Sequence, residues 1–146
     1  MKIKLRKASL KDAIFFYELR NEKLARKNSF NQKKIRPNDH LKWFNSKIKD
    51  KNIIFLIGYI NKITNIGIVR YEIKNKIAEV SINIHKKFRN LGYALKILKK
   101  SEKYLKKKTV IISRINKFNK KSLKIFKKNN YTILHENHVF ILIKII

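Results

Sequence analysis

The sequence predicts a mixed α/β fold, in which one sheet, partly antiparallel and partly parallel, carries helices on both faces. Three apolar stretches rich in β-branched residues, at 53–60, 66–73 and 77–84, are typical of buried strands. Short Asn- and Thr-containing turns separate them and predict an antiparallel meander. A helix-spaced apolar pattern and then a short β-branched stretch follow, which adds a β-α-β unit to the same sheet.

The N-terminal part is predicted to form the first strand and the first helix. Residues 2–7 alternate between apolar and basic side chains, as a half-buried strand does. Ser9 has the position of a helix N-cap, and Asp12 that of the acid of a capping box. We expect the helix that follows to bury apolar residues on one face and to end near Asn21.

The rest of the chain supplies the remaining elements. A polar, irregular segment at 28–36 leads to Pro37, which suits the first turn of a second helix. Beyond the meander, the pattern predicts a helix at 93–107, a strand at 109–113, a helix at 119–128 and closing strands at 131–135 and 138–145. The predicted order is β-α-α-β-β-β-α-β-α-β-β, in a single domain that spans residues 1–146.

The composition excludes several classes of protein. The 146 residues are enough for one domain with a hydrophobic core, and they include no cysteine, which excludes disulfides and thiolate metal sites. The four histidines lack the spacing of metal ligands. No apolar stretch approaches the roughly 18 residues of a membrane span, and the N-terminus is strand-like rather than typical of a signal peptide. We expect a cytoplasmic protein without a metal or a membrane partner.

The net charge of +29 raises the question of a nucleic-acid partner. Lys, Ile and Asn dominate the composition while Arg is sparse, which is the bias that AT-rich coding produces. The lysines are spread along the chain and form neither a basic tail nor a recognisable nucleic-acid motif. We therefore expect no specific nucleic-acid partner, although the positive field favours the capture of anionic small molecules.

Residues 89–94, with the sequence Arg-Asn-Leu-Gly-Tyr-Ala, lie where the last meander strand gives way to a helix. Several N–H groups at a helix start have no partner within the helix, and the helix dipole adds positive potential there. Gly92 lets the main chain approach an oxyanion closely, and Ala94 keeps the next turn thin. The segment predicts a phosphate or pyrophosphate site, although by itself it also fits an ordinary strand-to-helix turn.

The element order, with this segment after the fourth strand, resembles the GNAT N-acetyltransferase superfamily. The signature of that superfamily is Arg or Gln, two residues, Gly, one residue, and Gly or Ala, and it is met by Arg89, Gly92 and Ala94. Asn119 with Ser122, after the fifth strand, is a second matching element. The resemblance implies an acetyl-CoA-dependent enzyme that holds its cofactor through Ile82, Asn83, Ile84, Arg89, Asn90, Leu91, Gly92, Tyr93, Ala94, Asn119 and Ser122.

A narrower resemblance covers the N-terminal half. The pattern between Leu19 and Phe44, together with residues 66–71, is similar to bacterial acetyltransferases of pseudaminic acid synthesis and related surface-glycan pathways. Those enzymes acetylate the amine of a nucleotide-linked amino-deoxy sugar, and arginine suits bidentate contact with a diphosphate. The resemblance implies an acceptor site formed by Arg20, Asn21, Arg26, His40, Trp43 and Arg70.

Two other functions remain open from the sequence. Ribosomal-protein N-terminal acetyltransferases share part of the N-terminal pattern and would need an open groove for a peptide. A basic RNA-binding protein on a degenerate enzyme fold would bind RNA with a steep salt dependence and without any need for Arg89 or Gly92. The chain is expected to be a monomer, or a homodimer formed through its apolar terminal strands.

Amide formation needs a neutral amine, a donor for the thioester oxygen and a path for the proton. The resemblance implies that the fourth and fifth strands splay apart, and that a main-chain N–H near Asn83 or Ile84 polarises the thioester carbonyl. Glu79, the only acid in its strand, is the first candidate for the base, and His40 is the second. An ordinary ion pair at Glu79 and helix-face packing at His40 are the structural alternatives.

The chain departs from the superfamily at one position. Many members carry a tyrosine in the helix that starts at Asn119, and this tyrosine protonates the leaving thiolate. This chain has Phe126 there. Water, Tyr93 or another group must therefore supply that proton.

Overall fold

A computed structural model describes residues 1–146, and it confirms the mixed α/β fold. The strands β1 to β7 are Lys4–Lys7, Ile53–Ile60, Thr64–Lys74, Ile77–Ile84, Val110–Asn116, Thr132–Glu136 and Val139–Ile145. The helices α1 to α5 are Ala13–Asn21, Lys23–Lys27, Pro37–Lys47, Tyr93–Ser101 and Lys120–Lys128. All strands belong to one sheet with the order β1-β2-β3-β4-β5-β7-β6.

Neighbouring strands run antiparallel except β4 and β5, which run parallel. The two meander turns use residues in the left-handed region. Asn61 and Lys62 have φ of 50° and 67°, and Asn75 and Lys76 have φ of 50° and 64°. Positive φ at two consecutive turn residues gives a twist that matches that of the flanking strands, so the Asn-Lys pairs close the predicted meander.

The sheet separates two hydrophobic clusters. On one face, α4 and α5 pack against the strands through residues such as Leu98 and Phe126. On the other face, α1 and α3 cover β2 and β3 through Phe16, Phe44 and Phe55, whose ring centroids lie 5.0 to 5.6 Å apart. This second cluster takes its strand residues only from β2 and β3. The same face therefore stays accessible at β4 and β5, next to the elements that bear the candidate site.

The N-terminal helices begin in two different ways. The predicted capping box is present, since the N–H of Ser9 donates to the Asp12 carboxylate at 2.7 Å. Arg6 in β1 pairs with the same carboxylate at 2.8 Å. The short helix α2 has no counterpart in the predicted order, and its N-cap is Glu22, which accepts the N–H of Ala25 at 3.3 Å. Glutamate is not a typical N-cap, so the sequence carries no clear start signal for this helix.

Helix α4 is shorter than predicted. It ends at Ser101 and passes into a single 3-10 turn, instead of continuing to residue 107. Glu102 holds the chain at this point, because its carboxylate accepts hydrogen bonds from Asn129 at 2.6 Å and from Lys144 at 2.7 Å. These contacts join the end of α4 to the end of α5 and to β7. None of the helices is both long and apolar enough to cross a bilayer.

Candidate active site

The strands β4 and β5 separate along their length and leave an opening between them. They pair only over Ile77–Glu79 and Val110–Ile112. From Val80 onward, β4 has no neighbour on that side, while it stays paired with β3 to its end. The structure thus contains the splayed strands that the resemblance implies.

Main-chain groups of β4 line this opening. In a strand, the N–H and C=O groups of successive residues point alternately to the two sides. The N–H of His85 donates to the carbonyl of Ile66 in β3 at 2.9 Å, so Asn83 also directs its main-chain groups to β3. Ile82 and Ile84 therefore direct theirs into the opening. Of the two residues predicted to polarise a thioester carbonyl, only Ile84 has its N–H on the correct side.

The side chain of Arg89 closes the end of β4. Its Nε donates to the carbonyl of Ile84 at 2.9 Å, and its Nη2 pairs with the carboxylate of Glu22. Both side chains are largely buried, with exposed fractions of 21% and 23%. The hydrogen bond from Arg89 lowers the pKa of Glu22 below its usual value, so this carboxylate is charged at neutral pH. The guanidinium is thus held by the protein itself at the edge of the opening.

The loop after Arg89 presents a run of free N–H groups. Asn90 and Gly92 adopt left-handed conformations, with φ of 62° and 76°, and Gly92 is the N-cap of α4. None of the N–H groups of residues 90–95 is hydrogen bonded within the chain. A Cβ added to Gly92 would meet no atom within 4 Å, so this side of the loop is open. The loop fits a pyrophosphate, which such N–H groups and a helix N-terminus bind well.

The start of α5 lies beside this loop. Asn119 caps the helix by accepting the N–H of Ser122 at 3.2 Å, which leaves its amide NH₂ free. Lys121 reaches across and donates to the Oδ1 of Asn90 at 3.2 Å. The remaining residues predicted to hold the cofactor lie in the loop or the first turn of α4, where Leu91 is exposed and Tyr93 and Ala94 are half-buried. The predicted cofactor residues are therefore contiguous around one end of the opening.

The structure offers no tyrosine at the position of Phe126. That side chain is buried and packs edge-on against Tyr131, with ring centroids 4.9 Å apart. The Tyr131 hydroxyl donates to Glu102 on the far side of the core. Tyr93, at the start of α4, is half-buried and its ring lies 6.2 Å from that of Phe88. Tyr93 is therefore the tyrosine nearest to the phosphate loop along the chain.

Two arginines and a tryptophan form a cluster on the accessible face of the sheet. The guanidinium of Arg20 lies 4.4 Å from the ring centroid of Trp43, and that of Arg70 lies 5.5 Å from it. Burial and the neighbouring charge of Arg70 lower the pKa of Arg20, which has no hydrogen-bond or acidic partner. Arg70 faces Ser81 across the β3–β4 pairing, so the cluster adjoins the unpaired half of β4. Arg70 has an acidic partner in Glu72 at 3.3 Å, so the half-buried guanidinium of Arg20 is the unbalanced charge of the cluster, and it suits an anionic ligand.

Glu79 lies on the same face, at the last position where β4 still pairs with β5. Its Oε1 is 3.4 Å from the Nε of Arg114 in β5, and both side chains are about half exposed. Arg114 reaches Glu79 because β4 and β5 pair at this point. On the other side, Glu72 pairs with Arg70 at 3.3 Å. Glu79 is thus a solvent-accessible carboxylate at the closed end of the opening.

His40 lies elsewhere than the sequence-based prediction assumed. Its side chain is 1% exposed, and its Nε2 donates to the carbonyl of Ala13 at 2.9 Å. The Nδ1 atom is buried without a partner. Burial lowers the pKa of His40, which keeps the ring neutral. His40 is therefore a core residue between α1 and α3, and it does not reach the face on which an acceptor would lie.

Asn21 and Arg26 also have a different task from the predicted one. The side chain of Asn21 holds Ile35 by accepting its N–H at 2.8 Å and donating to its carbonyl at 3.0 Å. Arg26 donates to the carbonyl of Asn21 at 3.1 Å and to that of Gln32 at 3.4 Å. Both side chains fasten the segment between α2 and α3 to the end of α1. The hydrogen bonds of both side chains are thus made to main-chain groups of this N-terminal region.

Comparison with known proteins gives the family. The sequence profile described as acetyltransferase (GNAT) domain matches residues 2–132. No protein of curated function matches the sequence.

Solved structures share the fold over nearly the whole chain. A GNAT-family acetyltransferase from Streptococcus pneumoniae superposes with a TM-score of 0.77 at 17% identity, covering 99% of both chains. A domain from Methanocaldococcus jannaschii gives 0.82 at 18% identity, with the same coverage. Spermidine N-acetyltransferase from Vibrio cholerae, in complex with CoA and spermine, gives 0.82 at 16% identity, covering 97% of this chain and 92% of that one. At these identities, the likeness concerns the fold.

Proposed function

The chain belongs to the GNAT acetyltransferase family, and we propose that it acetylates the amine of a nucleotide-linked amino-deoxy sugar. It is an acetyl-CoA-dependent N-acetyltransferase. The observation that carries the choice of acceptor is the cluster of Arg20, Trp43 and Arg70 beside the unpaired half of β4. Two guanidinium groups on this face fit the diphosphate of a nucleotide sugar.

Bound acetyl-CoA supplies an acetyl group activated as a thioester. The free N–H groups of residues 90–95 would hold its pyrophosphate, since they converge at the N-terminus of α4. The N–H of Ile84 would donate to the thioester oxygen, and a donor fixed in advance in this way contributes roughly 3 kcal/mol to catalysis. The carbonyl of Ile84 is already satisfied by Arg89, which leaves the N–H as the group that this residue offers.

Glu79 is the group that we propose to accept the proton of the acceptor ammonium. It is a carboxylate on the same face as the arginine cluster, and solvent reaches it. The distance along β4 between Glu79 and Ile84 favours proton transfer through water rather than by direct contact. Arg114, whose Nε lies 3.4 Å from the carboxylate, holds Glu79 at the closed end of the opening.

Trp43 supports the arginines in this proposal. Its ring already contacts both guanidinium groups, and it packs edge-on against Phe55 with centroids 6.0 Å apart. These contacts favour a role in orienting Arg20 and Arg70 over direct stacking on a nucleobase. The cation–π contacts also offset part of the desolvation of Arg20.

The same charges disfavour a polyamine as the acceptor. The relative from Vibrio cholerae is a spermidine N-acetyltransferase. Here, three arginines, Arg20, Arg70 and Arg114, lie on the accessible face of a chain with a net charge of +29. Glu72 pairs with Arg70 and Glu79 pairs with Arg114, so the excess charge of the face belongs to Arg20. That charge and the net charge of the chain favour an anionic acceptor over a polycation.

The proposal is tested by thiol release from acetyl-CoA with a panel of UDP- and dTDP-linked amino sugars. A peptide with a free N-terminus and spermidine are included as competing acceptors. We expect turnover with at least one sugar nucleotide and a rate that falls as salt is raised, since the recognition is electrostatic. Turnover confined to the peptide or to spermidine would overturn the proposed acceptor.

A further inference from the structure

Glu22 occupies a junction between the two halves of the site. It is both the residue after the last turn of α1 and the N-cap of α2. Its carboxylate pairs with Arg89, the first residue of the phosphate loop, 67 positions further along the chain. Few acids are available for such a contact, because the chain has 9 acidic residues against 38 basic ones. Glu22 is thus in direct contact with the only arginine of the loop.

Arg89 links Glu22 to the end of β4, where Ile84 lies. Its Nη2 binds Glu22 while its Nε binds the carbonyl of Ile84, so one planar guanidinium joins the two groups. A second tie lies close by, since the side chain of Asn83 donates to the carbonyl of Leu19 in α1 at 2.8 Å. The end of β4 is therefore fastened to the C-terminal turn of α1 at two neighbouring points. Without Glu22, Arg89 would keep only one of its two fixed contacts.

We infer that Glu22 is a positioning residue for the cofactor, which acts by holding Arg89 against the carbonyl of Ile84. This arrangement fixes the start of the phosphate loop and leaves the Ile84 N–H directed into the opening. The carboxylate is suited to the task because a charge-assisted pair is shorter and more directional than a neutral one. The pair is also largely buried, so solvent does not compete for it as it does at the surface.

Glu22 could also weaken cofactor binding, by neutralising Arg89, and this alternative predicts the opposite change in affinity. If Glu22 only neutralised Arg89, its removal would free the guanidinium for the cofactor phosphates, and the affinity for coenzyme A would rise. The geometry favours positioning, because the Nε of Arg89 donates to the carbonyl of Ile84 and this bond holds the guanidinium at the end of β4.

The test measures coenzyme A binding by calorimetry, which is independent of the acceptor. The informative variant is Glu22→Ser, because serine is a good N-cap but is too short to reach Arg89. We expect its dissociation constant for coenzyme A to rise about 10-fold, as for the loss of one charge-assisted hydrogen bond. The serine keeps the cap of α2, so any fall in melting temperature should come from the broken ion pair with Arg89 and not from the helix start. Glu18→Gln, which removes the same charge from an exposed site on α1, serves as the control and should bind as the wild type does.

A double variant tests whether Glu22 acts through Arg89. The double variant, Arg89→Gln with Glu22→Ser, should bind coenzyme A no more weakly than Arg89→Gln alone. Arg89→Gln already removes the guanidinium through which Glu22 is proposed to act. Additive losses would overturn the inference, and so would unchanged or tighter binding by Glu22→Ser. These outcomes leave the proposed acceptor untouched, because turnover with sugar nucleotides is scored separately.

Discussion

On the cofactor side of the β4–β5 opening, the groups that face a ligand belong to the main chain, whereas on the acceptor side they belong to side chains. The N–H groups of Ile84 and of residues 90–95 have no partner in the chain and converge on one end of the opening. The acceptor side offers Arg20 from α1, Arg70 from β3 and Glu79 from β4. The first side depends on backbone conformation and the second on charge, so substitutions should affect them in different ways.

The largest effect is expected at Gly92, on the main-chain side. Gly92→Val places a β-branched residue at φ 76° and fills the open side of the loop. We expect the Michaelis constant for acetyl-CoA to rise at least about 100-fold, from strain together with the blocked phosphate contact. Steady-state kinetics at varied acetyl-CoA measures this, with Gly92→Ala as a milder control. Unchanged kinetics would remove the loop from the cofactor site.

The next effect is expected at Glu79, on the side-chain side. Glu79→Gln keeps the shape but cannot take up a proton, so kcat should fall by about 100-fold, as for loss of a general base. The ratio of the wild-type kcat to the variant kcat should be larger at low pH, where more of the acceptor amine is protonated. Measuring kcat of both proteins over a pH series tests this. A ratio that is constant across pH would count against Glu79 as the general base. Coenzyme A binding by the variant should equal that of the wild type.

A smaller effect is expected at Arg20. Arg20→Gln removes one charge of the anion cluster, and the Michaelis constant for the acceptor should rise about 10-fold while that for acetyl-CoA stays the same. The same substitution should reduce the salt dependence of turnover, because fewer charges attract the acceptor. Lys23→Gln, a nearby exposed position, removes an equal charge and is the control. Equal effects of the two variants would show that Arg20 acts only through the general positive charge of the protein, and not through direct contact with the acceptor.

The smallest effect on activity is expected at His40, whose protonation should change the stability of the fold and not the reaction. Its pKa in the folded state lies below 6.5, so the unfolded chain takes up the proton more readily. Stability should therefore fall as the pH drops below about 6.5, by about 1.4 kcal/mol for each unit by which folding lowers the pKa. Melting temperatures between pH 7.5 and 5 measure this, and His40→Gln should show a flatter profile than the wild type. If His40→Gln instead changed the pH profile of kcat at constant stability, His40 would be a catalytic base after all.

The two sides also differ in how far the sequence predicts them. The cofactor loop is local: Arg89, Gly92 and Ala94 are close together in the chain, and a helix start exposes unpartnered N–H groups wherever it occurs. The meander turns were predictable for the same reason, since Asn-Lys pairs at the turns adopt the required positive φ.

The acceptor side depends on contacts between distant parts of the chain. Arg114 reaches Glu79 only because β4 and β5 pair in one particular register, and Arg20 reaches Trp43 only because α1 and α3 pack side by side. His40 was assigned to the site from its helix, yet that helix turns this position inward to Ala13. Periodicity indicates which face of a helix is buried, but a single histidine at the edge of that face is ambiguous.

The account is tested most directly by following the amide signals of the ¹⁵N-labelled protein while coenzyme A is added. The amides of Ile82, Ile84 and residues 90–95 should shift strongly, because their N–H groups are the proposed contacts. The side-chain signals of Arg20 and Trp43 should stay nearly unchanged until an acceptor is added. Large shifts at Arg20 and Trp43, with residues 90–95 unaffected, would contradict the division of the opening into a main-chain cofactor side and a side-chain acceptor side.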